Sequence, residues 1–75
     1  MINGLMLIKA TATASPSIVE EAKKIKGVKD AYMVFGRFDV VIFIEAEDFL
    51  KLKDLAKKIS SLQGIKSTET LPQGD

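Results

Sequence analysis

Apolar positions along the chain fall into short dense blocks separated by two helically spaced series. Residues 5–12 open with Leu5-Met6-Leu7-Ile8, a run too continuous for one face of a surface helix and suited to a buried strand. Ile18, Val19, Ala22 and Ile25 then recur at helical spacing. Ser15-Pro16 opens that helix, because proline in the first turn lacks only an N–H that a helix leaves unpaired. Ser17 and Glu20 form a competing capping signal two residues on, and Gly27 supplies the stop. Residues 28–35 read as a second strand, Gly36-Arg37-Phe38-Asp39 as a short reversal, and residues 40–46 as the third and most hydrophobic strand. Glu47 and Asp48 sit where a helix N-terminus favours negative charge. Phe49, Leu52, Leu55, Ala56, Ile59 and Leu62 are expected to line the inward face of the second helix, which Gly64 ends. Residues 65–71 make the last strand, with Pro72 stopping it and residues 73–75 left as a frayed tail.

The chain also repeats itself weakly. Ile25-Lys26-Gly27-Val28-Lys29 and Leu62-Gln63-Gly64-Ile65-Lys66 share one pattern, and Met6-Leu7-Ile8-Lys9-Ala10 is answered by Ile42-Phe43-Ile44-Glu45-Ala46. Two strand-helix-strand units joined by a tight hairpin predict an α+β, ferredoxin-like βαββαβ sandwich forming a single domain over residues 1–75.

In that fold the first and third strands are central neighbours, and both are apolar on both faces. Met6 and Ile8 oppose Leu5 and Leu7; Val40, Ile42 and Ile44 oppose Val41 and Phe43. Two helices cover one face of a sheet only. Each large apolar side chain left in water forfeits about 1.5–3 kcal/mol of burial, so the expected solution is a homodimer packed sheet to sheet, an α/β-barrel type of assembly.

Composition narrows the chemistry more than the fold. The 75 residues hold no Cys, which excludes disulfides and thiolate metal sites, and no His, which excludes Ser-His catalysis and most transition-metal sites. A hydrophobic content of 47% and a net charge of +1 describe a globular chain and not a dedicated polyanion binder. Nothing resembles a secretory leader, and the apolar run at residues 40–44 falls far short of the ~20 residues of a membrane span. The expected setting is the cytoplasm.

Few residues carry candidate chemistry. Gly36 permits positive φ and Asp39 can bond its own backbone, so the hairpin reads first as a well-made turn. The same residues also offer a carboxylate beside exposed backbone N–H and C=O groups, the parts that hold the two ends of a zwitterionic amino acid. Thr68 and Thr70 share one face of the last strand, where β-propensity explains them as well as a ligand does. The lysines are interleaved with acids, as in the Asp54 and Lys58 pair, and read as a solvated face. Tyr32, Phe35 and Phe43 do not match a base-stacking RNA signature. Tyr32 as a lone acid or base is outweighed by the commoner packed tyrosine. No carboxylate pair, phosphate loop or metal set suggests an enzyme or a cofactor.

Lys26-Gly27-Val28-Lys29-Asp30-Ala31, Val34-Phe35-Gly36-Arg37-Phe38-Asp39-Val40, and Leu62-Gln63-Gly64-Ile65 followed by Ser67-Thr68-Glu69-Thr70 together resemble the RAM domain, the ligand-binding domain of Lrp/AsnC transcription regulators. The resemblance implies a dimer that assembles further, into rings of eight or ten chains, with an amino acid effector between neighbouring dimers. It carries Gly36, Phe38 and Asp39 into the ligand site, with Arg37 at the variable position, and carries Thr68 and Thr70 with the last strand. Phe38 stands where tyrosine is common, which removes a hydroxyl from that site. Those regulators also bear a helix-turn-helix, for which these 75 residues leave no segment, so the resemblance implies a stand-alone module without direct DNA binding that binds an effector itself or joins full-length regulators. The competing expectations are a metal-free monooxygenase-like enzyme of the dimeric α/β-barrel type, which needs a polar pocket between helices and sheet, and a structural assembly partner without ligand.

Overall fold

The computed structural model describes residues 1–73. Its elements run β1 (Ile2–Ala10), α1 (Ser15–Lys23), β2 (Val28–Met33), β3 (Val40–Ala46), α2 (Phe49–Ser60) and β4 (Ile65–Gln73). The strands form one antiparallel sheet in the order β2-β3-β1-β4, with both helices on one face. This is the ferredoxin-like sandwich that the tandem repeat predicts.

The core forms where the helical stripes meet the inward residues of the central strands. Met6, Ile8, Val40, Ile42 and Ile44 from the sheet pack with Ile18 and Ala22 of α1 and Leu52 and Ile59 of α2, all of them buried. Gly27 and Gly64, the repeated glycines, both adopt positive φ, at 101° and 94°. A Cβ at Gly64 would overlap the Ala14 side chain. The repeat therefore preserves a tight return from helix to strand.

Several boundaries differ from the sequence expectation, each for a local reason. β1 starts at Ile2, since Asn3 and Gly4 are paired on both sides, and it ends at Ala10. Beyond it the Thr11 carbonyl accepts from the amides of Ala14 and Ser15 and from the Ser15 hydroxyl, which turns the chain into α1. That helix uses Pro16 in its first turn and has no side-chain cap, so Ser17 lies inside the helix and the second capping signal is idle. β2 ends at Met33, two residues early, as the chain turns into the hairpin. α2 begins as expected, with Asp48 at the N-cap accepting from the Lys51 amide at 2.8 Å. It closes two residues early, at Ser60, where Ser61 takes the C-cap. β4 runs through Pro72 to Gln73, which pairs with Asn3, so Gln73 is not frayed. Pro72 is tolerated because β4 is an edge strand, where a missing N–H interrupts no outer ladder. Gly74 and Asp75, the rest of the expected tail, lie outside the described residues.

The second sheet face is apolar and bare. Leu5 pairs with Phe43 and Leu71, and Leu7 and Tyr32 flank Val41, so these six residues share the side away from the helices. Tyr32 is 43% exposed, Leu71 41% and Phe43 37%. The Tyr32 and Phe43 rings lie 5.9 Å apart in a tilted pair. Among the described residues, no helix is long and apolar enough to cross a membrane.

Candidate functional site

The hairpin between β2 and β3 is held by its last residue. The Asp39 carbonyl accepts from the Val34 amide at 3.0 Å, and the Asp39 amide donates to the Ile8 carbonyl at 2.8 Å. The Asp39 carboxylate, through Oδ2, accepts from the Ala10 amide at 2.9 Å. Asp39 thus extends the β1–β3 ladder by one bond with its side chain, and pins the hairpin to the end of the central strand. Its own N–H and C=O are consumed by this anchoring, so among the described residues the backbone groups of residues 35–38 are the ones left for a ligand at the tip.

Beyond the anchor the hairpin projects. Gly36 has φ 115°, and a Cβ there would meet nothing within 4 Å, so the position demands glycine for backbone conformation and not for space. Phe35 is fully exposed, Arg37 is exposed and Phe38 half-buried. A phenylalanine fully open to water at a hairpin tip is costly in a lone chain and is the kind of group a neighbouring surface covers.

The two threonines lie elsewhere. Thr68 pairs with Ile8 and Thr70 with Met6, which puts both on the helix side of β4. β1 separates them from β3, so Thr68 stands about 10 Å, two strand spacings, from the start of β3. Thr68 Oγ1 shares a 3.2 Å hydrogen bond with Ser60 Oγ of α2. Within one chain, therefore, Gly36, Arg37, Phe38 and Asp39 form one group, and Thr68 and Thr70 another.

Sequence reasoning missed a groove on the threonine side. It lies between α2 and β4, is open to solvent with a volume of about 630 Å³, and is lined by Phe49, Leu52, Lys53, Ala56, Lys57, Ser60, Ser61, Thr70 and Pro72. Phe49, expected on the inward face of α2, is 57% exposed at its mouth. The signal was the small size of Ala56 and Ser60 on the helix and of Thr70 on the strand, which leaves the space between them unfilled. The centre of the space between helices and sheet is filled with apolar side chains, and neither Tyr32 nor an acid lines the groove at its β4 edge.

Residues 4–72 match the Lrp/AsnC ligand binding domain. The structure is similar to TTHA0845 from Thermus thermophilus, at 29% identity and a TM-score of 0.93, covering 100% of this chain and 95% of that one. It is also similar to E. coli AsnC, at 26% identity and a TM-score of 0.85, covering 96% of this chain and 50% of that one. A curated relative, homocitrate synthase of Sulfolobus acidocaldarius, is 27% identical over 70 residues, which are 92% of this chain and 15% of that enzyme. The chain thus spans half of E. coli AsnC and a small part of the enzyme. With the family match running from the first strand to the last, the chain belongs to the Lrp/AsnC ligand-binding domain family.

Proposed function

We propose that this chain is a non-enzymatic effector-binding and assembly module, which pairs through its bare sheet face and holds an amino acid at the hairpin. The observation that carries the reading is the hairpin itself: a projecting tip with a glycine at positive φ, braced at its base by Asp39. Unpaired backbone amides at the tip suit a ligand carboxylate, and the second Asp39 oxygen, Oδ1, suits an ammonium. Arg37 and Phe38 then border the effector and tune its choice. Thr68 and Thr70 stand apart from the hairpin in one chain, so the effector site proposed here rests on residues 36–39 alone.

The assembly follows from the sheet. Six apolar residues form the middle of the bare face, while Asn3 and Glu45, with Lys29 bonded to Glu45 at 3.0 Å, lie toward one end. An apolar centre with a polar margin is the anatomy of a protein interface, and a two-fold copy closes it. Further association of dimers, to eight or ten chains, would cover Phe35. The module acts in the cytoplasm by altering a larger partner. The half-length likeness to E. coli AsnC supports a full-length regulator as that partner. The likeness to a short stretch of homocitrate synthase supports a module that also serves an enzyme.

The test is native mass spectrometry of the chain with a mixture of the twenty amino acids, repeated for two variants. The wild type is expected to gain the mass of one amino acid per subunit. Asp39→Asn keeps an acceptor for the Ala10 amide but removes the charge, so it should retain the assembly and lose the ligand. Asp39→Ala should lose both the ligand and the ordered hairpin. Wild-type binding in Asp39→Asn would show that Asp39 only positions the hairpin and would remove it from the site.

A further inference from the structure

We infer that the groove between α2 and β4 is a second binding site, for a monocarboxylate with an apolar tail, separate from the hairpin and not dependent on it. The groove is a built gap: Leu52 is buried at its floor, and Ala56 faces Thr70 across it with neither side chain large enough to close the space. The Ser60–Thr68 hydrogen bond ties helix to strand beside it, and Phe49 and Pro72 add apolar wall. Its size falls in the ordinary range for small-ligand pockets, about 300–1,000 Å³.

Charge decides what enters. Lys53 and Lys57 lie one helical turn apart on the groove's margin, and among the described residues neither has a carboxylate within 4 Å. The remaining polar groups of the lining are the hydroxyls of Ser60, Ser61 and Thr70, and no Asp or Glu belongs to it. The Ser60 and Ser61 hydroxyls already donate to the carbonyls of Ala56 and Lys58, so an anionic head finds two ammonium groups and the Thr70 hydroxyl, whereas an α-ammonium finds no anionic acceptor. This selects against a zwitterionic amino acid, the ligand proposed for the hairpin, and for a simple carboxylate whose tail lies along Leu52, Ala56 and Phe49. The two sites thus differ in ligand class.

The experiment is an NMR titration of isotope-labelled chain with octanoate, followed at the methyl groups of Leu52, Ala56 and Thr70, with octylamine as the cationic counterpart. Octanoate is expected to give saturable shifts confined to these groups, and octylamine none. The paired change Lys53→Glu with Lys57→Glu should weaken octanoate by about tenfold or more, and Thr70→Leu should block the groove by volume alone. The same charge change at Lys23 and Lys26 should leave binding intact. The inference is overturned by the absence of saturable shifts, by equal binding of octylamine, by shifts on Leu5 and Val41 instead, or by equal weakening from the Lys23 and Lys26 changes. It is equally overturned if the groove methyls respond to protein concentration and not to octanoate, since a second copy would then occupy the space.

Discussion

Val41 and Ile42 are neighbours in the same central strand, similar in size and chemistry, yet they belong to different surfaces. Ile42 is buried beneath the helices; Val41 lies half-buried on the bare face between Leu7 and Tyr32. The same contrast separates Met6 and Ile8 from Leu5 and Leu7 in β1. A sheet that needed only its own helices would place polar residues on the second face. Here the alternation expected of a half-solvated sheet is missing in both central strands, and among the described residues nothing covers the second surface, which is the face the proposed two-fold copy closes.

The contrast predicts two kinds of damage. Ile42→Ala should cost about 2–5 kcal/mol whatever the protein concentration, because the cavity opens inside one chain; thermal denaturation measures it. Val41→Ala should cost less in dilute solution, and should reduce the rise of Tm with protein concentration that a folded dimer shows. Equal, concentration-independent losses at both positions would erase the distinction between the faces. Gly36→Ala comes next. Its side chain has room, so only the backbone conformation resists, at about 1–3 kcal/mol, and the damage should stay within the hairpin when hydrogen exchange is followed. Asp48→Ala removes the α2 cap and should cost about 1 kcal/mol in either state of assembly. The smallest effect belongs to Glu21→Gln, which breaks an exposed 3.4 Å pair with Lys24 and should change Tm by an amount equivalent to well under 1 kcal/mol.

The fold was legible because its signals are periodic and local. β3 runs from Val40 to Ala46 as its apolar block predicts, and the repeated glycines mark the returns from both helices. The ends of β1 and β4 were less legible, because Asn3, Gly4, Pro72 and Gln73 look like loop residues until they pair with one another across the sheet. The hairpin was visible as a turn, but the role of Asp39 was not: the bond from Ala10 joins residues far apart in sequence, and no pattern announces it. The groove was hidden for a different reason. It is made by what Ala56, Ser60 and Thr70 fail to fill, and a helical stripe records where side chains are, not where space remains. Phe49 fits the stripe and is still exposed, since it sits in the first turn of α2, at the mouth of the groove.

The most direct test of the account is sedimentation equilibrium on the wild type and on Leu7→Lys. Leu7 stands at the middle of the bare face and pairs with Glu69, so a lysine there is tolerated in the single chain and is ruinous against a second apolar sheet. The account predicts an even-numbered assembly for the wild type and a folded monomer for Leu7→Lys, with unchanged far-ultraviolet circular dichroism. A wild type that stays monomeric at all concentrations, or a Leu7→Lys chain that assembles as the wild type does, would contradict it.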